Sequence, residues 1–394
     1  MVISFLQMLL EFAALSLIFA TMALVVQATA ALFLSDRPLS VALLRPSIAV
    51  LVPAHDEEQD IEATLIRIKE ELSPGDRLLV VADNCIDGTA ALAARVGADI
   101  VIRNDFNLSG KGFALAAGLR HLSAAPPEVV VFVDADCQVS SGGVGLLARA
   151  CAASNAPVQC LNLMIAHPDS REPPRLAEFA WRIKNDLRPN GYARLGLPCQ
   201  LLGTGMALPW WLIDPEKFET GHLTEDLLIG LDLAMKGFSP RFFREACVTS
   251  YFPETHRSQA QQKQRWVHGH FALMNGHAPR LIYQALRRRD FGLLALAADL
   301  AVPPLSVLAV ANIALLLISL AWMAAVGAGA PLAFAIFSST LFASSLVAAW
   351  HVCGRDLIGL KQVKQLPRHI IMVMGSALNL ARGHRVPWVR ADRL

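Results

Sequence analysis

Three long apolar runs bound what this chain can fold into. Residues 12–34, 305–326 and 332–352 are nearly free of charge. At about 1.5 Å per helical residue each is long enough to cross a hydrocarbon layer of ~30 Å. Lipid leaves no solvent partner for backbone N–H and C=O groups, so such runs are expected as helices. Ala28-Thr29-Ala30 has the small residues of a signal-peptidase site, but no Lys or Arg precedes Arg37. The basic leader of a signal peptide is therefore missing, and residues 1–36 read as an uncleaved anchor. Arg37 and Arg45 follow it, Arg287, Arg288 and Arg289 precede the later pair, and Arg355, Lys361, Lys364 and Arg368 follow that pair. The loop Gly327–Pro331 between the pair carries no charge. The positive-inside bias then places both flanks in the cytoplasm and the loop outside an inner (plasma) membrane. Phe291–Pro304, with Asp299 inside it, is expected as an interfacial helix. The apolar stretch 370–381 is too short to cross, and residues 354–394 form a basic tail.

Between these runs the character changes. Of the 394 residues, 54% are hydrophobic and 17% charged, so a sizeable globular part must share the chain with the membrane segments. The net charge of +2 gives no footprint for nucleic acid. The seven cysteines have no Cys-x-x-Cys spacing, which favours free thiols. His268 and His270 flank Gly269 without the spacing of a zinc site. Apolar strand-like runs at 48–52, 78–82, 99–102 and 129–133 alternate with helical patterns starting near Glu58, Ala90 and Lys111. Alternation of that kind indicates βαβ units, hence an α/β domain over 45–280 with a mostly parallel sheet. A strand over 157–166, helices over 174–188 and 223–235 (Thr224 a candidate N-cap), and a polar, aromatic helix over 257–278 complete it. The small residues Gly203-Thr204-Gly205 would let backbone approach a ligand.

The chemistry concentrates at the predicted strand ends. VVVFV runs into Asp134-Ala135-Asp136. Two carboxylates at i and i+2 of an extended chain face one side and repel unless a cation lies between them. A divalent ion shared with a diphosphate is one reading and a solvated turn is the other. Asp83 ends the second strand and suits either a nucleotide contact or a turn. Lys111, between two glycines at a helix start, suits either a phosphate or a solvated face. Asp56-Glu57-Glu58 and Glu225-Asp226 suit helix N-termini as well as a site. Strand carboxyl ends share one edge of a parallel sheet, so the first three acidic clusters should converge there. Asp226, remote in sequence from the metal pair, is the candidate general base for an acceptor hydroxyl. Gln262, Arg265 and Trp266 share one helical face, read either as a phosphate and sugar contact or as a packing surface.

Asp83, Asp134-x-Asp136, Thr224-Glu225-Asp226 and Gln262-x-x-Arg265-Trp266 follow one another as in the membrane-bound family 2 glycosyltransferases. The resemblance is to the cellulose, hyaluronan and poly-N-acetylglucosamine synthase group. Pro53-Ala54-His55-Asp56-Glu57-Glu58 is similar to that family's opening donor-site motif. The resemblance spans about residues 45–270 and implies a GT-A-like fold, a nucleotide-sugar donor (commonly a UDP-sugar), Mg²⁺ or Mn²⁺, and displacement with inversion. By position it assigns Pro53, His55, Glu57, Asp83, Lys111, Asp134 and Arg265 to the donor, and Asp134 with Asp136 to the metal. It assigns Asp226 to the base, and Glu225, Gln262 and Trp266 to the acceptor side. The implied partners are a glycan or lipid-linked acceptor and membrane lipids, with room for export or polymerisation partners.

One anchor and two later spans are few for a self-contained polymer channel, so single-sugar transfer to a lipid stays open beside polymer extension. A nucleotidyltransferase or a non-catalytic scaffold would use the same sheet differently. The topology has its own test. A reporter after Leu394 should read cytoplasmic and one at Gly329 external, and the reverse pattern would sink the three-span arrangement.

Overall fold

A computed structural model describes residues 2–170, 173–253 and 255–366. The expected interfacial stretch 370–381 and most of the basic tail lie outside the described residues. In chain order the elements are α1 (Val2–Phe33), β1 (Ile48–Ala54), α2 (Ile61–Glu70), β2 (Arg77–Asp83), α3 (Thr89–Val96) and β3 (Asp99–Arg103). Next come α4 (Lys111–Leu122), β4 (Val129–Phe132), β5 (Gln138–Val139), α5 (Gly143–Ser154) and β6 (Val158–Ile165). Then come α6 (Arg175–Arg182), a π-turn (Ile183–Leu187), α7 (Arg188–Arg194), β7 (Met206–Pro209), α8 (Pro215–Phe218), α9 (Glu225–Met235) and β8 (Arg241–Tyr251). The chain closes with α10 (His256–Arg288), α11 (Phe291–Ala301), α12 (Leu305–Val326) and α13 (Ala330–Cys353).

One eight-stranded sheet organises the globular part, in the order β3-β2-β1-β4-β7-β6-β8-β5. The half built from the alternating strands and helices is parallel throughout, as that alternation requires. β4 and β6 each pair antiparallel with β7, β8 runs parallel to β6, and β5 is antiparallel to β8. The whole is therefore a mixed sheet. Successive residues of β1 serve opposite faces. Ile48, Val50 and Val52 join Leu65 and Ile68 of α2, whereas Ala49 and Leu51 join Leu115 and Leu119 of α4. Burial on both faces explains why these strands read as unbroken apolar runs. The carboxyl ends of β1, β2 and β4 open on one edge, where the acidic motifs begin.

Several boundaries differ from expectation for physical reasons. The first helix covers 32 residues and starts well before residue 12. α2 begins at Ile61 because residues 57–60 form a turn, with Ile61 N–H bonded to Glu57 O. The helical pattern at 174–188 carries a π-turn and then continues to Arg194. Thr224 holds the N-cap position of α9, but its side chain makes no capping bond and lies instead 3.3 Å from His222 Nδ1. The helix expected over 257–278 runs on to Arg288 with Pro279 inside it.

Among the described residues three helices, α1, α12 and α13, are long and apolar enough to cross a membrane. They pack on one another and on the sheet domain. Leu24 and Ala28 of α1 share a cluster with Ile183 and Leu187 of the π-turn and with Val302 and Phe342. Inside the α12–α13 pair, Ser338 donates to Asn312 at 2.8 Å, the kind of polar contact that fixes helix pairs in lipid. α11, expected to lie in the interface, buries Asp299 within the protein. Arg188 Nη2 donates to Asp299 Oδ1 at 2.7 Å and to its carbonyl at 2.8 Å, and Gln27 of α1 donates to the same carboxylate at 2.5 Å. This ion pair ties the first apolar helix, α7 and α11 together. Removing one partner of a buried pair strands the other charge, at about 3–5 kcal/mol. Asp299→Ala should accordingly lower the detergent-solubilised melting temperature sharply, with a milder fall for Asp299→Asn. An unchanged melting temperature would show that the junction does not depend on this pair.

Candidate active site

The sheet edge widens into a cleft of about 370 Å³. Every site residue expected from the sequence lines it: Pro53, His55, Glu57 and Asp83 from the first two strand ends, Lys111 from α4, Asp134 and Asp136 after β4. Glu225 and Asp226 of α9 and Gln262, Arg265 and Trp266 of α10 complete the set. The backbone sets these positions. His55 Nδ1 lies 2.7 Å from Asp83 O, and Glu57 N–H donates to Thr89 Oγ1 at 2.8 Å. Asp83 is nearly buried and its carboxylate accepts from Arg103 at 2.6 Å, so Arg103 orients it.

Lys111 is turned inward rather than solvated. Its Nζ lies 2.5 Å from Asp134 Oδ1 and donates to Gly203 O at 2.8 Å. Gly203 has φ +84°, and a Cβ there would lie 3.0 Å from Asp226 Oδ2 and 3.3 Å from Lys111 Nζ. Lys111 and Asp226 thus border the same backbone, which the missing side chain leaves open. The buried Gln159 shapes that loop by accepting from Leu202 N–H and donating to the carbonyls of Thr204 and Gly205. Thr204 Oγ1 in turn accepts from Asp134 N–H at 3.1 Å. Gly269 brings α10 against α9, since a Cβ there would sit 2.6 Å from Thr224 Cγ2. Gln262, Arg265 and Trp266 are held beside Glu225 and Asp226 by that approach.

Ligand atoms of Asp134, Asp136 and Cys137 lie within 4.8 Å of one another. Burial and the neighbouring Asp134 push the Cys137 thiol up to about 12, so it stays protonated. The two carboxylates remain as a hard-oxygen pair, the donor type that suits Mg²⁺ or Mn²⁺.

The profile described as "Glycosyltransferase like family 2" matches residues 46–269, more than half of the chain. The chain belongs to this glycosyltransferase family. A mannosyltransferase of Pyrobaculum calidifontis, solved with GDP-Man and Mn²⁺, superimposes with a TM-score of 0.51 at 21% identity, covering 86% of this chain and 97% of that one. The shared GT-A-like fold follows from that likeness. An uncharacterized glycosyltransferase of Mycobacterium tuberculosis is 38% identical over 96 residues, 24% of this chain and 39% of that protein. An uncharacterized protein of Methanocaldococcus jannaschii is 35% identical over 94 residues, 24% of this chain and 37% of that protein. The alignments thus span well under half the length of these relatives. Family membership favours glycosyl over nucleotidyl transfer.

The transferase holds its acids in a desolvated setting. Burial, then the charge of Asp226, pushes Glu225 up to about 7. Burial also raises Asp226, against the pull of Lys111 and Lys184. For Lys111, burial works against the ammonium, but Asp134 and Glu225 outweigh it and hold its pKa above the usual value. Burial lowers Arg265, with Glu225 opposing.

Several cleft residues escaped the sequence reading: Trp181, Lys184 and Asn185 around the π-turn, Gln200 and His222. Burial lowers His222, helped by His277, and its Nδ1 accepts from Thr224 N–H at 3.2 Å, which marks a neutral ring. Only the helical pattern over 174–188 pointed toward Lys184, and nothing in it announced a π-turn.

The raised pair has a pH consequence. A base must be ionised, so kcat/KM should fall as pH drops through the range near 7 where the pair takes up its first proton. Glu225→Gln removes a negative neighbour and should move that acid limb to lower pH. Stability should run the other way. The native state keeps a proton that the unfolded chain has lost between about pH 4.5 and 7, so stability declines as pH rises across that window. An acid limb indifferent to Glu225→Gln would remove the pair from the chemistry.

Proposed function

We propose that this chain is a membrane-anchored, inverting hexosyltransferase. It moves a sugar from a nucleotide-sugar donor, a UDP-sugar in the first instance, to a growing exopolysaccharide or lipid-linked glycan on the cytoplasmic face of the inner membrane. The observation that carries this reading is the arrangement around Gly203. Asp226, a carboxylate remote in sequence from the Asp134/Asp136 pair, borders the same backbone as Lys111, in a cleft that also holds Arg265.

In this reading His55, Glu57 and Asp83 lie where a nucleotide would sit, with Arg103 fixing the Asp83 carboxylate. Asp134 and Asp136 would hold Mg²⁺ or Mn²⁺, which when bound supplies positive charge to the leaving diphosphate. Lys111 and Arg265 add cationic contacts to the same phosphates. The acceptor hydroxyl attacks the anomeric carbon from the face opposite the diphosphate. The new C–O bond forms as the bond from C1 to the phosphate oxygen breaks, and Asp226 takes the hydroxyl proton. Attack from the opposite face inverts the anomeric centre. Glu225 and Gln262 border the acceptor, and the Trp266 indole offers a flat apolar face to a sugar ring.

Polymer extension, as in the cellulose and hyaluronan synthase group, is the first form of this reading. Single-sugar transfer to a lipid is supported by the packing of the π-turn, which walls the cleft, against α1, and product size separates the two. The test is nucleoside diphosphate release by detergent-solubilised protein, using UDP- and GDP-sugars with Mg²⁺ or Mn²⁺, with and without membrane lipid extract. Asp226→Asn should reduce release by ~10²–10⁴-fold, the usual range for a general base. Pyrophosphate release from a nucleoside triphosphate and a sugar phosphate would overturn the proposal.

A further inference from the structure

The cleft has an end that the donor chemistry leaves unused. The π-turn Ile183–Leu187 forms its wall. π-turns inside helices often mark functional positions, because the extra residue re-aims the side chains around it. Here the re-aimed residues are Lys184 and Asn185. Asn185 is 1% exposed, lines the cleft, and has no partner for either amide atom. Nε2 of Gln200, Nε of Arg265 and Nε2 of His270 are likewise buried at the cleft without a partner. Native folds leave few such groups unpaired, and a cluster of them in one place points to a ligand.

The chemistry of the cluster selects the ligand. Donors predominate: the Lys184 ammonium and the Asn185 and Gln200 amides, against one amide oxygen. Lys184 opens onto the cleft and lies 5.7 Å from the Trp181 ring, and among the described residues no carboxylate forms an ion pair with it. Its surroundings are dense enough that desolvation lowers its pKa, with Asp226 opposing. An anion beside it would stabilise the charged form. Trp181 and Trp266, with ring centroids 4.9 Å apart, wall the same region. Behind the turn, Ile183 and Leu187 pack on Leu24 and Ala28 of α1, so this end faces the junction with the apolar helices.

We propose, resting on the transferase reading above, that this end is the acceptor subsite and that it binds a hydroxyl-bearing phosphate ester. The ester arrives as a lipid headgroup or as a free molecule. Its phosphate sits on Lys184 and Asn185, and its hydroxyl is thereby presented to Asp226. The phosphate is an anchor and undergoes no bond change.

The experiment uses the full chain in maltoside micelles and calorimetric titration with dioctanoyl phosphatidylglycerol, dioctanoylglycerol and glycerol 3-phosphate. The phosphate-bearing lipid should bind at least ~10-fold more tightly than the neutral one, as charge-assisted contacts require. Lys184→Gln should abolish that preference and Lys184→Arg should keep most of it, with melting temperatures reporting that both variants fold. Glycerol 3-phosphate binding as well as the lipid supports the subsite with a soluble acceptor, and much weaker binding supports it with a lipid one. Saturating nucleoside diphosphate with Mn²⁺ should leave the ester bound. Displacement by the nucleotide would assign these cations to the donor and overturn the proposal. Equal binding of the charged and neutral lipids by the native protein, or a preference unchanged in Lys184→Gln, would also overturn it. Ester binding without nucleotide binding would sink the transferase reading and leave the subsite standing.

Discussion

One ammonium holds the cleft together. Asp134, Glu225 and Asp226 all raise the pKa of Lys111, although burial alone would lower it. Without that cation the buried Glu225 and Asp226 would lie close together uncompensated, and like charges in such a setting neutralise by taking up protons. Glu225 has already moved that way. Lys111 therefore sets how much negative charge the cleft can carry before a substrate enters. A divalent ion on Asp134 and Asp136 would compete with it for Asp134, leaving the ammonium to turn toward phosphate oxygens. In the proposed reading, the contact that screens Asp134 thus also places a cation for the leaving group.

The second constraint is mechanical. The π-turn, α7 and α11 form a connector whose polar centre is Arg188, Asp299 and Gln27 and whose apolar side packs on α1. Buried ion pairs are weak contributors to net stability but demanding about geometry. A connector fixed in this way places Lys184 and Asn185 at a defined distance from the apolar helices. The position of the acceptor end relative to those helices then follows from the fold and does not depend on a mobile loop.

The strand and helix pattern of the parallel half was legible because each strand there is buried on both faces and reads as a continuous apolar run. The helices long enough to cross a membrane were legible for the same reason, as was the set of cleft residues carried by recognisable motifs. Four things were not. The antiparallel placement of β7 between β4 and β6 depends on long-range pairing that no local pattern encodes. The π-turn is a one-residue change in hydrogen bonding that leaves helical periodicity almost intact. Asp83 read as an acceptor for a nucleotide, and only the fold shows Arg103 already on its carboxylate. Thr224 had the composition of a cap, yet its hydroxyl lies beside His222. In each case tertiary contact overrode a sound local preference.

The two ends of the cleft have opposite electrical character, and that polarity bears on direction. The donor end carries the paired acids with Lys111 among them, a setting that favours a cation and a diphosphate together. The far end offers Lys184 with the Asn185 and Gln200 amides, and no carboxylate is in ion-pair contact with Lys184 among the described residues. In the proposed reading, an anion held at the far end adds negative potential near Asp226 and makes that carboxylate a stronger base when an acceptor is present. A donor diphosphate with its divalent ion brings nearly balanced charge and changes the base little, so the acceptor is the partner that activates the cleft.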